Sequence, residues 1–553
     1  MADRSGTGAI SHAAHVPGAF ARPAELNISG VIHRLAWAAA AITAGVTVWL
    51  MQVSNRAPLV WDEATRVDAG AALTNTIRSG DFIGSWQWIQ VQVFYPFLAP
   101  ALNGVVLLIT NNPLAAAWVP AVFAYVVAGL LAGRLSTDLG AGAVGAWCAA
   151  LLTWTTPIFA RVSGGAWTEP LGACLILTLL IALVRLERKG DLRIAAVTGF
   201  LAALCWFLKY DYGILGMGTL GLSGLVALLD SQHRRERFKR YCVALSAAII
   251  PVAGWFSVNP AGKLSVILQF AGHVAPDTAN RFDLTYYPTA LFGGGEVGVT
   301  PVIAFLFAAS VVSAALQIRR RDLRPALICL CLWYLIYSLA GARYSRYLGT
   351  IMPLLATFGG LAAGQFITRT HFESLRIQRI VVPITALAII AQLAFQVTAP
   401  TTGLAAQFWF LKANPSASDV VAFASTHLQP DSGPVLMLGQ TIEFSSYALH
   451  LAWSERLGYI APPVDFIGET GQPVTPESFM AQVRSTGAHQ IVGVEIRPGS
   501  SFDSADYRVA FPSQPEYLVL ARSFAAAGVL TTAASLSLEN GDLSVVIWDY
   551  GNP

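Results

Sequence analysis

Apolar runs long enough to approach a membrane crossing recur along the first four hundred positions of this chain, separated by shorter polar segments. They lie at about 35–53, 114–133, 142–159, 169–185, 194–208, 213–229, 242–258, 299–317, 325–340, 347–366 and 380–398. Since a helix needs about 20 apolar residues to cross a bilayer, the pattern predicts an α-helical polytopic membrane protein with about eleven spans. Beyond about residue 400 the period changes. Strand-like runs at Pro434–Leu438, Gln490–Val494 and Leu543–Ile547 alternate with helical segments at Ser418–His427 and Pro476–Ser485. This alternation predicts a small α/β domain over 400–553, after a polar tail at 1–33 and a membrane module at 34–399.

Composition agrees with the pattern. Of 553 residues 55% are hydrophobic and 12% charged, and the mean hydropathy is +0.55. A charged fraction of about half the globular average excludes a soluble chain of this length. All six cysteines fall in apolar stretches without metal-ligand spacing, so neither a zinc site nor a disulfide framework is expected. The polar first 33 residues lack the charged-then-apolar order of a cleavable signal, so the first span is expected to stay in the mature chain.

Charge placement orients the spans. Arg185–Lys189, His233–Arg240, Arg319–Arg321 and Arg376–Arg379 occupy alternate connections, and the intervening ones are longer and poorer in Lys and Arg. The positive-inside rule then places the N-terminus in the cytoplasm and the 54–113 loop, the 259–298 loop and the C-terminal domain outside. Within the first outer loop, 63–78 reads as an amphipathic helix with Val67, Ala71 and Ile77 apolar, and Val91–Thr110 as a helix lying in the interface.

Charged residues beside the outer span ends are the candidates for chemistry. They are the acids Asp62, Glu63 and Glu169 and the cations Lys209, Arg343 and Arg346. Charge near hydrocarbon is costly. A set of acids that handle a proton or hold a divalent cation (Mg2+ or Mn2+), with cations that hold a lipid phosphate, suits group transfer from a lipid-phosphate carrier. Each residue also has a plainer reading. Asp62 could cap the 63–78 helix with Glu63 favouring its dipole, Glu169 before Pro170 could open a helix, Lys209 could snorkel, and the arginines could anchor a span. Tyr286 and Tyr287 either line a donor site or belong to an aromatic belt. Gly293–Glu296 lacks the preceding strand and following Lys of a phosphate loop. No Asp-x-Asp motif or His-Glu-x-x-His run occurs.

In this order, the motifs resemble the GT-C membrane glycosyltransferases, in the protein O-mannosyltransferase and aminoarabinose transferase branch (glycosyltransferase family 39-like). The acidic pair Asp62-Glu63 in the first outer loop, Glu169 at the end of the second, Lys209 after the fifth span and Arg346-Tyr347 before a span containing Pro353 carry the likeness, over roughly residues 35–400. A departure stands at Gln92-Val93-Phe94-Tyr95-Pro96, where many relatives have a His-Pro-Pro type segment. The resemblance implies a polyprenyl-phosphate sugar donor, an outward-facing site and inversion at the anomeric carbon. Asp62 would then be the general base, Glu63 and Glu169 would orient the acceptor or hold the cation, and Lys209, Arg343 and Arg346 would bind the donor phosphate. The partners expected are that donor, an envelope glycan, lipid or protein acceptor, and the bilayer, with no nucleic acid. The competing readings are a flippase for lipid-linked sugars and a non-catalytic scaffold.

Overall fold

The structure is a computed structural model. It describes residues 28–54, 59, 61–92, 95–229, 234–272, 283–292, 301–339, 344–369, 415–429, 431, 433–440, 444–457, 461–467, 474–498, 500, 514–538 and 541–550. The helices of the apolar part are α1 (28–54), α2 (61–78), α3 (82–91), α4 (98–110), α5 (113–138), α6 (142–155), α7 (157–164), α8 (169–189), α9 (192–208), α10 (210–229), α11 (234–256), α12 (260–272), α13 (286–292), α14 (301–316), α15 (324–339) and α16 (348–369). Every expected span up to residue 366 is matched by helix, and the expected span at 380–398 lies outside the described residues. By length and composition four helices (α5, α8, α10 and α16) can each cross a membrane, or six crossings if the bent pairs α6–α7 and α11–α12 each make one. The chain is thus an integral membrane protein, and the shorter apolar helices account for the larger number read from sequence.

Two expectations for the outer loops are corrected. Val91–Thr110 is not one helix: α3 ends at Val91 and α4 begins at Leu98. Pro96 lacks the N–H that a continuous helix would need there. The 259–298 segment is not an open loop either. It contains α12, which turns 104° from α11 at Asn259, where φ is +56°, and it contains α13. The corner is closed by Lys263, fully buried, whose ammonium donates to the carbonyls of Gln90 (3.0 Å), Trp255 (2.6 Å) and Val258 (2.5 Å). Two of these acceptors lie at or just beyond the C-terminal end of α11, where a cation also meets the negative end of the helix dipole.

Helix α2 carries the acidic pair and is held from two sides. Gly70 lets it touch α4, since a Cβ there would meet the Pro100 carbonyl at 2.6 Å, and the Thr74 hydroxyl donates to Gly104 O at 3.0 Å. On its other side lies the C-terminal α/β unit: α17 (415–427), β1 (435–438), α18 (446–457), β2 (464–467), α19 (476–486), β3 (490–496), α20 (514–526), β4 (531–537) and β5 (543–549). The sheet order is β2-β1-β3-β5-β4. Strands β2, β1 and β3 are parallel, with Val435 opposite Val464 and Gln490; β5 runs antiparallel to β3 and to β4. Strand β1 is buried along its whole length, which is why it reads as an unbroken apolar run. One sheet face packs with Phe444, Leu449 and Trp453, the other with Phe479 and Tyr517. From α18, Ala448 and Leu451 join Ala64, Val67 and Ala71 of α2 in one apolar cluster.

Candidate functional site

Three separate parts of the chain meet at Arg346. It lies in a single 3-10 turn, 345–347, ahead of α16. Its Nη1 is 3.2 Å from Asp62 Oδ2, and its Nε is 3.9 Å from Glu169 Oε1. The guanidinium lies 4.0 Å from the Trp167 ring, with Tyr344 at 5.1 Å and Tyr347 at 5.4 Å. A planar cation weakly hydrated enough to stack on indole while pairing with carboxylates is a task for Arg and not for Lys.

Local backbone explains how the acids reach it. Asp62 stands inside the first turn of α2, so it is not the helix cap; its charge still favours the helix N-terminus. Its other oxygen accepts the Tyr95 hydroxyl. Glu63 is the next residue, about 100° round the helix, and it is buried. Glu169 opens α8 with Pro170 behind it. It is presented by a tight turn in which Ala166 takes φ +56° and Trp167 N–H donates to Val162 O at 3.0 Å. Gly349 permits this closeness, because a Cβ there would meet Val162 Cγ2 at 2.8 Å. Glu169 is fully buried, and among the described residues neither of its carboxylate oxygens receives a hydrogen bond. An unsatisfied buried carboxylate is expensive, so it needs a reason beyond stability.

Sequence reasoning missed four members of this site. Arg66 is buried beneath it, donating to Ala166 O at 2.9 Å, with its guanidinium 5.8 Å from the Tyr95 ring. Its signal was present: residues 62 and 66 share a helix face. Tyr95 stands in the segment noted above as a departure, and it supplies a hydroxyl there. Trp167 is two residues before Glu169 and floors the arginine. Asp211 is the fourth: Lys209 Nζ is paired with its Oδ2 at 3.3 Å, and the Tyr337 hydroxyl donates to the same oxygen at 2.7 Å. Lys209 therefore already has a carboxylate partner. It also lies 5.1 Å from the Tyr347 ring, the same ring that the Arg346 guanidinium approaches to 5.4 Å.

Electrostatics fix the resting protonation. Burial would raise the Asp62 carboxyl, but Arg346, Arg66, the Tyr95 hydroxyl and Lys209 together outweigh it and hold it below the usual carboxylate range. Burial and the adjacent Asp62 charge push the Tyr95 phenol well above its usual value, so it remains a donor. Burial opposes the charge on Arg346, but Tyr347, Asp62 and Glu169 raise it well above the ordinary value.

The remaining candidates fare differently. Arg343 lies outside the described residues, as does Gly293–Glu296. Tyr287 is buried against Trp333, with ring centroids 5.0 Å apart, and packs in the core of the helical part. Tyr286 stacks edge-on against it at 5.0 Å. The acids do not fit a resident Mg2+ or Mn2+: Asp62 and Glu169 face one guanidinium where a shared cation would sit. Among the described residues no three His, Cys, Asp or Glu side chains are grouped closely enough to hold a metal.

No protein-family model and no curated protein matches this chain. Solved structures do. ArnT from Cupriavidus metallidurans in the apo state superposes with a TM-score of 0.60 at 14% identity, over 93% of this chain and 98% of that one. The same protein bound to undecaprenyl phosphate gives 0.57 at 14% identity, over the same shares. At that identity the likeness is one of fold: the chain shares the fold of that ArnT protein over nearly its whole length.

Proposed function

We propose that this chain is a membrane glycosyltransferase that moves a sugar from a polyprenyl-phosphate donor to an acceptor hydroxyl or amine at the outer face of the membrane. The observation that carries the reading is the meeting of Asp62, Glu169 and Arg346 in one cluster, within a fold shared with a protein solved with undecaprenyl phosphate. A largely buried arginine held between two carboxylates and an indole, with part of its side chain still accessible, is a ready receiver for a phosphate.

In a single displacement, the acceptor O–H or N–H gives its proton to Asp62 as the acceptor atom bonds to the anomeric carbon. The bond from that carbon to the phosphate oxygen breaks with its electron pair, so the configuration inverts and the polyprenyl phosphate leaves with one more negative charge. Arg346 and Lys209 neutralise that charge. Tyr95 holds Asp62 in place, and Glu169 orients the acceptor. Donor binding also tunes the base: a phosphate drawing on Arg346 relaxes the pull that depresses Asp62, and the carboxylate becomes a better proton acceptor when substrate is present. The domain limits at about 34–399 and 400–553, an N-terminus in the cytoplasm and an extracytoplasmic C-terminal unit belong to this reading.

The test is a transfer assay on the purified chain with polyprenyl-phosphate sugars, together with mass spectrometry of envelope lipids and glycans from a deletion strain. A sugar mass missing from the deletion strain identifies donor and acceptor together. Asp62→Asn should lower kcat by about 10²–10⁴-fold. A folded Asp62→Asn protein with wild-type turnover removes Asp62 as the base.

A further inference from the structure

Outside the Arg346 site, one titratable group joins the α/β unit to α2. His450, in the middle of α18, is buried. Its Nδ1 bonds the Asp68 carboxylate of α2, and its Nε2 lies 2.9 Å from the carbonyl oxygen of Ala461. Both partners only accept. A neutral imidazole carries a single N–H and satisfies one of them; only the imidazolium, with two N–H donors, satisfies both. The surroundings are set for that form. Asp465 of β2 adds its field to that of Asp68. The other polar groups here are also engaged: Ser454 Oγ donates to His450 O at 2.8 Å and accepts from Ala461 N at 3.0 Å. Around this bond Ala448 and Leu451 press on Ala64, Val67 and Ala71, so one polar pin fastens an apolar contact. Asp68 lies about 9 Å along the α2 axis from Asp62.

We infer that His450 is a positioning residue: as an imidazolium it bridges Asp68 and the Ala461 carbonyl, and so fixes the helix that carries Asp62. Burial works against the charged ring, but Asp68, the Ala461 carbonyl and Asp465 outweigh it and raise its pKa. Burial and the neighbouring Asp68 charge raise the Asp465 carboxyl, against the pull of His450. For a histidine with a raised value, the contribution to docking is complete below the free value of about 6.5 and is lost as pH rises through the folded value. The neutral ring must then turn a lone pair toward a buried carbonyl or carboxylate, and α2 loosens at alkaline pH.

The kinetic consequence rests on the reading of Asp62 as base, but the docking does not, so the two are separable. Hydrogen exchange of the full chain in detergent, followed by mass spectrometry, reads the α2 amides directly. After correction for intrinsic base catalysis, wild-type exchange over α2 should rise about tenfold between about pH 6 and about pH 9, across the histidine range. His450→Gln should exchange at the faster rate at both values. Asp68→Asn should do the same, and it leaves the α/β unit untouched if the first variant folds poorly. In a transfer assay both variants should lower kcat at about pH 6 with the donor KM unchanged, and both should lose the alkaline decline of the wild type. Wild-type protection of α2 in His450→Gln at about pH 6, or α2 exchange in the native chain that ignores pH, overturns the inference whether or not any transfer is detected. Loosening of α2 without transferase activity would instead uphold the pin and count against the proposed reaction.

Discussion

Two cations in this molecule, Lys263 fully buried and Arg346 largely so, are surrounded in opposite ways. Lys263 meets three backbone carbonyls at 2.5–3.0 Å and the face of Trp255 at 4.0 Å. Each of its donors is used and its partners are neutral: two carbonyls belong to the corner it closes and the third, of Gln90, to α3 packed against it. Arg346 instead lies between two carboxylates at 3.2 and 3.9 Å, over aromatic rings. One of those carboxylates, Glu169, accepts no hydrogen bond from the described residues. The first environment is complete and holds a fold together. The second leaves Glu169 without a hydrogen bond among the described residues, and under the proposed reaction the acceptor fills that place. Burial of a charge is therefore weak evidence of function; what distinguishes the two sites is whether the protein itself satisfies the group.

Breaking the comparison should give effects of different kind and size. Arg346→Ala should reduce kcat/KM for a polyprenyl-phosphate sugar by about 10³-fold. Arg346→Lys should recover little of it, because an ammonium cannot stack on Trp167 and serve two carboxylates at once. Measured turnover within a few-fold of wild type would make the cluster structural. Lys263→Met should do the reverse. It leaves three carbonyls without their donor, at a cost of about 3 kcal/mol, seen as a lower Tm in detergent with kcat preserved in the folded fraction; a catalytic loss at unchanged Tm would contradict the contrast. Glu169→Gln sharpens it further. Removing an unsatisfied buried charge should leave Tm unchanged or raise it, while kcat falls by about tenfold or more. A large loss of Tm would show that Glu169 is a structural partner of Arg346.

The smallest effect concerns pH. Because Arg346 and the other neighbours outweigh burial and depress the Asp62 carboxyl, its stabilising pair is complete above the unfolded value near 4 and is lost only as pH falls through the lower folded value. Thermal stability followed from about pH 7 to about pH 5 should therefore show no change attributable to Asp62, and Asp62→Asn should remove only a decline at still lower pH. A wild-type acid transition near pH 5 that Asp62→Asn abolishes would show that the carboxyl is not held down.

Much of this was legible in the chain itself. Helix positions from α5 to α11 and from α14 to α16 follow from apolar run length, and strands β1, β3 and β5 from short buried runs. Strand β2 was not legible, being four residues followed by polar chain. Strand β4 was not either, because Thr531–Ser537 is a largely exposed edge of Thr, Ala and Ser with a single large apolar residue, Leu536. Helix α18 was missed as well, since its buried polar residues Ser446, His450 and Ser454 interrupt the apolar stripe that marks a core helix.

Sequence alone determined that this chain is a membrane protein with acids and cations placed near the ends of apolar helices, because length and hydropathy are local properties. Only the tertiary structure decided which of those charges meet. Asp62 and Arg346 are 284 positions apart, and Asp68 and His450 are 382 apart. No local propensity encodes such pairings. They arise from close contacts such as Gly70 on Pro100 and Gly349 on Val162, which set how near the helices carrying these groups can come.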